Sequence, residues 1–398
     1  MKYRILGTGL ITCLGKTKEE YWDSINHQRR IFEPIVASQY QELKGFYCGR
    51  INDFDEVAYS SETGLSNLDR NSALVVFATK AATKDAFDTE LFTLGGRTGV
   101  VIGTTLSIGT SVSDYDESVL VEGARHCRLG LFPNTVMNAP ASRAAITQKI
   151  TGPSTTISSG SNSGIDAIGL ACLTLSEEDA TDSIMICGGS EALSEKLLLG
   201  LARRHRLLDT MADLSQANPK PCRGLIPTEG SVIFVVNSGH GRKIGSSRYG
   251  AILSYSCTFF PFKKRQVFDR AQFIYKTIMK AIQDAQIEPS DIGLFLLGPT
   301  FDSFSFQAAL NAVTRLLGVE AKDCLVVPTT ELLGECFAAS GPQLVLISQG
   351  YLDERLDEGA LVRLNRNEQW GGDVIQKDNV LIIQADPAGH NSALVMTR

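Results

Sequence analysis

Apolar positions along this 398-residue chain repeat with two different periods, and the switching between them divides the chain into strands and helices. Short β-branched runs bounded by glycine and polar residues predict strands over 3–12, 98–104, 154–159, 182–189 and 231–237. Stretches with apolar residues three and four apart predict helices over 16–27, 70–88, 107–122, 139–149 and 163–176. The alternation then returns, with strands expected over 250–257, 291–298, 324–328, 359–364, 379–385 and 391–397 and helices over 267–285, 303–317 and 336–350. A β-α series that occurs twice predicts two similar α/β halves, 1–240 and 241–398, with the boundary near Gly239 to Gly250.

Composition narrows the class without naming it. With 43% hydrophobic residues the chain can bury a large core. No apolar run reaches the ~18 residues a membrane span needs, and the amino end carries no signal-like apolar region, so a cytoplasmic protein without membrane contact is expected. Nine cysteines, none in a C-x-x-C spacing, indicate neither a disulfide framework nor a zinc site, and no metal or cofactor is expected. The net charge of -6, with Arg29-Arg30, Arg203-Arg204 and Lys263-Lys264-Arg265 as short clusters, argues against nucleic acid as a partner.

The most informative segment runs from Gly152 to Ile168. A β-branched strand, Thr155 to Ser158, leads through small residues into the periodic stretch Ile165, Ile168, Ala171, Cys172, Leu175. Strand, sharp turn and helix in this order lift one side chain above a sheet and aim helix-start amides at it, which is a way to present a nucleophile beside oxyanion donors. The side chain so presented is Ser161.

This loop resembles the active-site motif of the β-ketoacyl-ACP synthases, which carry cysteine where Ser161 stands. Further landmarks recur in order: Ile5 to Gly15, Phe132-Pro133-Asn134 with Met137-Asn138, Gly188-Gly189-Ser190-Glu191-Ala192, Arg223-Gly224 with Glu229-Gly230, and Gly389-His390-Asn391. The resemblance implies a thiolase-like fold, two similar halves with mixed sheets sandwiched by helices. It also exposes what is missing. The family's two catalytic histidines belong between 241 and 389, where this chain has no histidine. The first falls in the segment Leu294 to Thr300; at the second, Glu335 replaces histidine and Thr330 replaces a lysine. Ala385, Asp386, Pro387 and Ala388 stand where the family has alternating phenylalanines and glycines.

A serine could act only with a positioned base, because a helix start lowers a hydroxyl's pKa by less than about one unit. Glu335 is the acid that the motif brings to mind for this task. The competing reading makes Ser161 a small turn residue capping the next helix, and Glu335 a carboxylate at a helix start. His390 is expected in a structural bond, and Arg143, Arg203 and Arg204 as solvated or paired cations.

Within the family, the pattern is similar to the chain-length factors, the ketosynthase β subunits of type II polyketide synthases. The resemblance implies a catalytically silent subunit, with no catalytic residues and Ser161, Glu335 and Thr330 as degenerate positions. Its implied partners are a catalytic ketosynthase, in a heterodimer, and an acyl carrier protein bearing a polyketide or polyene chain. A pure scaffold, or a Ser161-dependent acyl-processing or decarboxylating enzyme, is the alternative. In the family the region from Thr104 to Gly123 faces the partner near a shared tunnel, so Ile108, Val112 and Tyr115 are the expected length-setting residues, with Phe132 and Met137 behind them. Glutamine is common at the lost nucleophile position of chain-length factors, and Ser161 departs from it.

Overall fold

The computed structural model describes residues 3–29, 31–36, 38–63, 68–88, 98–106, 108–177, 183–204, 207–208, 224–238, 249–260, 267–300, 302–318, 324–364 and 376–398. Most of the expected boundary at 239–250, the Lys263-Lys264-Arg265 cluster, Arg223, His205, His240 and Cys222 lie outside the described residues.

A ten-stranded sheet organises the chain. Its first-half strands are β1 (Tyr3–Thr12), β4 (Thr98–Gly103), β5 (Ser154–Ile157), β6 (Ile184–Glu191) and β7 (Gly230–Ser238). Those of the second half are β8 (Ala251–Phe259), β9 (Ile292–Leu297), β10 (Leu325–Pro328), β11 (Asn379–Ala385) and β12 (His390–Thr397). A separate short pair, β2 (Glu33–Pro34) and β3 (Tyr47–Cys48), lies beside it. The order β10-β9-β11-β12-β8-β1-β7-β6-β4-β5 repeats one topology about its centre, since β5-β4-β6-β7-β1 and β10-β9-β11-β12-β8 match strand for strand. Parallel and antiparallel pairings match as well: β4 is parallel to β5 and β6, as β9 is to β10 and β11, while β7 and β12 are antiparallel to both neighbours. The two series meet where Tyr3 and Arg4 of β1 pair with Ile252 and Ala251 of β8.

Helices cover and fill the sheet. They are α1 (Lys18–Asn26), α2 (Glu56–Thr63), α3 (Arg70–Phe87), α4 (Ile108–Glu122), α5 (Ala139–Thr147), α6 (Ser163–Glu177), α7 (Glu195–Arg203), α8 (Val267–Ala285), α9 (Ser303–Leu317), α10 (Thr330–Leu333), α11 (Ser340–Leu352) and α12 (Glu358–Leu364). Every residue of α11 is buried, its polar side chains Ser340, Gln343, Ser348 and Gln349 each hydrogen-bonded within the protein. It packs beside α6 in a core that draws Ile165, Ile168 and Leu175 together with Leu344, Leu294, Ile382 and Leu394. Outer helices α8 and α9 cover one half through Ile274, Ile278, Ala308 and Val313, and α3 and α5 cover the other through Val75, Ala78, Ala141 and Ala144.

Most predicted elements stand within a few residues of their expected limits; one does not. The segment expected as a strand over 359–364 is the helix α12. Its apolar run is short enough to suit either form, and the deciding group lies just before it. Asp357 accepts the Gly359 N–H on its side chain and the Ala360 N–H on its carbonyl, satisfying helix-start donors that a strand would not present this way. Helices α2 and α7 were not expected from the periodicity. For α7 the signal is present, because Ser194 caps the Leu197 N–H and Glu195 sits in the first turn.

Candidate functional site

The strand-turn-helix at 154–177 forms as the loop predicts. β5 ends at Ile157, Gly160 takes a positive φ of 73°, and α6 begins at Ser163. Ser163 locks the turn: its hydroxyl donates to the Gly160 carbonyl at 2.6 Å and accepts the Ser159 N–H at 2.9 Å. Asn162 fixes it to the other half through bonds from Nδ2 to the Gln384 carbonyl and the Ser392 hydroxyl. Ser161 is thus held in place, 7% exposed, at the contact between β5, α6 and the end of β11.

Glu335 meets Ser161 there. A β-bridge ties Pro227 to Glu335, with the Glu335 N–H donating to the Ile226 carbonyl and the Glu335 carbonyl accepting the Thr228 N–H. The following segment lies directly on α6, so closely that a Cβ on Gly164 would stand 2.0 Å from the Ala338 carbonyl oxygen. Only glycine fits this approach. The Glu335 carboxyl accepts the Phe337 N–H at 3.0 Å and the Ser340 hydroxyl at 3.3 Å, and the Ser161 side chain lies near enough to favour its ionised form. Burial first, and the nearby Asp386 charge second, push its pKa up to about 8. Glu335 is therefore mainly a protonated acid near neutral pH.

Among the described residues no histidine hydrogen-bonds Ser161 or the Glu335 carboxyl. The segment expected to carry the first histidine is the buried strand β9 followed by Gly298, which packs against the Gln384 side chain. Thr330 begins α10, and its hydroxyl accepts the Thr300 N–H at 3.2 Å. The hydroxyl that organises the start of α6 is that of Ser163, which bonds the Gly160 carbonyl and the Ser159 N–H, so Ser161 is not the cap expected there.

One expected oxyanion donor, the Ser161 amide, is engaged. The Ser161 N–H donates to Asp386 Oδ2 at 2.8 Å, and its carbonyl accepts from Gln384 Nε2 at 2.8 Å. Motif reading marked Asp386 only as a lost gate residue and passed over Gln384. The available signal was an acid and an amide at the end of a strand whose preceding residues, Val380 to Ile383, are all apolar.

His390 does hold a structural bond. Its Nε2 lies 3.0 Å from Asp166 Oδ2, and this partner raises the imidazole pKa. Burial works against Asp166 ionisation, but His390, Ser159 and Ser392 together keep its pKa below the ordinary value. Arg203 pairs with Glu42 at 3.2 Å on the surface.

The five length-setting candidates fall on one part of the surface. Ile108, Val112 and Tyr115 are half-buried along one face of α4; Phe132 is 56% exposed on the turn Leu129–Asn134, and Met137 follows half-buried. Structure brings Tyr115 and Phe132 together, with ring centroids 5.7 Å apart. A cleft of about 790 Å³ opens on a different face of α4, lined by Thr110, Ser111, Asp114, Asn71, Arg70 and Ser194 among others, and none of the five lines it. On α4 and the turn that follows it the surface is unusually apolar, with Leu120, Val121 and Leu129 each more than half exposed. No described helix is long and apolar enough to cross a membrane.

Fold and site together define a thiolase-like ketosynthase architecture. The chain belongs to the beta-ketoacyl synthase family: residues 4–240 match the family model described as "Beta-ketoacyl synthase, N-terminal domain". Among curated relatives, a 3-oxoacyl-[acyl-carrier-protein] synthase 2 of Synechocystis is 24% identical over 343 residues, covering 85% of this chain and 82% of the relative. The tetracenomycin polyketide synthase ketoacyl synthase alpha subunit of Streptomyces glaucescens is 22% identical over 356 residues, covering 85% and 81%. A solved type II polyketide synthase acyl-carrier protein in complex with its ketosynthase, AntDE:AntF, matches at TM-score 0.81 and 18% identity over 100% of this chain and 99% of the other. The ishigamide ketosynthase/chain length factor matches at TM-score 0.79 and 18% identity, over 100% and 98%.

Proposed function

We propose that the chain is a subunit with no condensing activity of its own, a chain-length factor that pairs with a catalytic ketosynthase and shapes the tunnel for a polyketide or polyene chain on an acyl carrier protein. The observation that carries this reading is the pairing of Ser161 with Glu335. An alcohol needs a base to become a nucleophile, and the group set against it is an acid kept protonated near neutral pH by burial. Residue 161 is serine where the resembled family has cysteine, and positions 241–389 hold no histidine.

A partner is supported by the surface. β5 is an edge strand whose Ser154 and Thr155 are exposed, uncharged and followed by Thr156 and Ile157, a sequence that invites pairing with another strand. A second candidate surface is the exposed apolar one of α4 and the Leu129–Asn134 turn. Kinship with a polyketide synthase alpha subunit, and the fold shared with a ketosynthase/chain length factor, favour a ketosynthase as the occupant.

Purified alone, the chain is expected to release no carbon dioxide from malonyl-carrier protein. Co-expressed with a ketosynthase that has its cysteine and both histidines, it is expected in a stable complex whose product length responds to substitutions on α4. Turnover by the isolated chain, lost in Ser161→Ala, overturns this reading. A complex whose product length ignores α4 substitutions leaves a scaffold. The Ser161–Glu335 contact itself favours one other reading, a serine-dependent acyl-processing enzyme, whose rate would rise with pH as Glu335 ionises.

A further inference from the structure

Asp386 sits at the end of β11 in the turn Asp386-Pro387-Ala388-Gly389 and is 6% exposed. Both carboxylate oxygens are engaged by backbone amides: Oδ2 accepts the Ser161 N–H at 2.8 Å, and Oδ1 accepts the Ala388 N–H at 2.6 Å. The residue between them in the turn, Pro387, has no N–H to offer. The main chain of Asp386 is fixed independently of its side chain. Its N–H donates to the His390 carbonyl at 2.8 Å, and its carbonyl accepts from the buried guanidinium of Arg270. Gly160 makes the approach possible, because a Cβ there would stand 2.4 Å from Asp386 Oδ2.

We propose that Asp386 is a built-in occupant of the anion position at the start of α6, and that it bars an acyl carbonyl from that position. This rests on the reading of the chain as a silent subunit and gives that silence a second, independent cause. Addition to a thioester puts negative charge on the carbonyl oxygen, and the amide best placed to receive it is spent on a carboxylate that also repels it. The same charge disfavours a thiolate at 161, so the missing cysteine and the added acid are one arrangement.

The full chain carrying Ser161→Cys tests this, alone and combined with Asp386→Gly or Asp386→Asn. Each variant is treated with the hexanoyl thioester of N-acetylcysteamine, and acylation is followed by intact mass. In the reaction the thiolate sulfur bonds to the carbonyl carbon, the thioester carbon–sulfur bond breaks, and the departing thiolate takes up a proton. A parallel reaction with iodoacetamide, which needs no oxyanion donor, measures thiolate availability and access.

With Asp386→Gly the ratio of acylation to alkylation rate is expected to rise about 10²-fold over Ser161→Cys alone, the worth of one oxyanion donor. Asp386→Asn keeps an acceptor in place and is expected to leave the ratio near that of the single variant while speeding alkylation. Should the glycine variant fail to fold, Asp386→Ala serves, as residue 386 has no positive φ. A ratio unchanged by the glycine or alanine substitution overturns the proposal. Neither complex formation nor product length enters this readout, so failure of the chain-length reading would appear separately, as isolated-chain turnover or unaltered products.

Discussion

The Tyr115 ring stands edge-on to the Phe132 ring, centroids 5.7 Å apart and planes at 61°, so that α4 and the following turn present one aromatic unit. Such a pair is worth about 0.5–1.5 kcal/mol beyond its buried area, and it holds Phe132 in place although that ring is more than half exposed. If the unit closes the shared tunnel, Tyr115→Ala lengthens the products of the co-expressed complex. Chromatography of the products with the heterodimer shown intact decides it, and an unchanged profile removes Tyr115 from the floor.

Partner pairing along β5 can be tested without disturbing the fold. The carbonyls of Pro153 and Ile157 accept from β4, so backbone groups at odd positions face inward and the Thr156 N–H faces out. Thr156→Pro deletes an outward donor at an edge position where proline is tolerated. The variant is expected to keep its melting temperature within a few degrees and to lose its ketosynthase on size exclusion; retention of the complex would sink the edge-pairing assignment.

Glu335 gives stability a definite pH slope. With its folded pKa raised to about 8, the folded state binds more protons than the unfolded one from the ordinary glutamate range up to that value. Stability therefore falls as pH rises through this window. Glu335→Gln is expected to remove the slope and to be more stable than the native chain by on the order of 2–4 kcal/mol at pH 8, with little difference at pH 4.5. Urea titrations at the two pH values measure it, and parallel slopes for both proteins would contradict the buried-acid assignment.

In the Asp166–His390 pair the histidine has the same sign as Glu335 and the aspartate the opposite one. His390 has a raised pKa, so its contribution is complete below the ordinary histidine value and is lost as pH rises through the raised one. Asp166 has a lowered pKa, so its part is present above the ordinary aspartate value and disappears only as pH falls through the lowered one. His390→Gln should cost about 1–3 kcal/mol near pH 6 and distinctly less near pH 9. A loss of equal size at both would assign the residue to packing alone.

Local patterns carried the turn at Gly160, because strand, small residues and helix periodicity are all short-range signals, and they carried the duplicated β-α series for the same reason. The loss of imidazole was legible too, since an absent residue type needs no coordinates. Contacts across the chain were not. Asp386 lies 225 residues from Ser161, and nothing near either residue announces that one carboxylate will fill the other's amide. Likewise the apolar part of α12, Ala360 to Val362, is only three residues long, too short for a period to separate helix from strand.

The central core has a consequence for how such a chain could be divided. Strands repeat in two matching series, yet the side chains filling the space between them come from both, with Ile165 and Ile168 of the first series packed in one cluster with Leu344 and Leu394 of the second. Each series keeps a cluster of its own beneath its outer helices, but the central cluster belongs to both. Expressed as separate pieces, each would expose the face of its central helix that the other now covers, so the matching wiring does not make two independent parts.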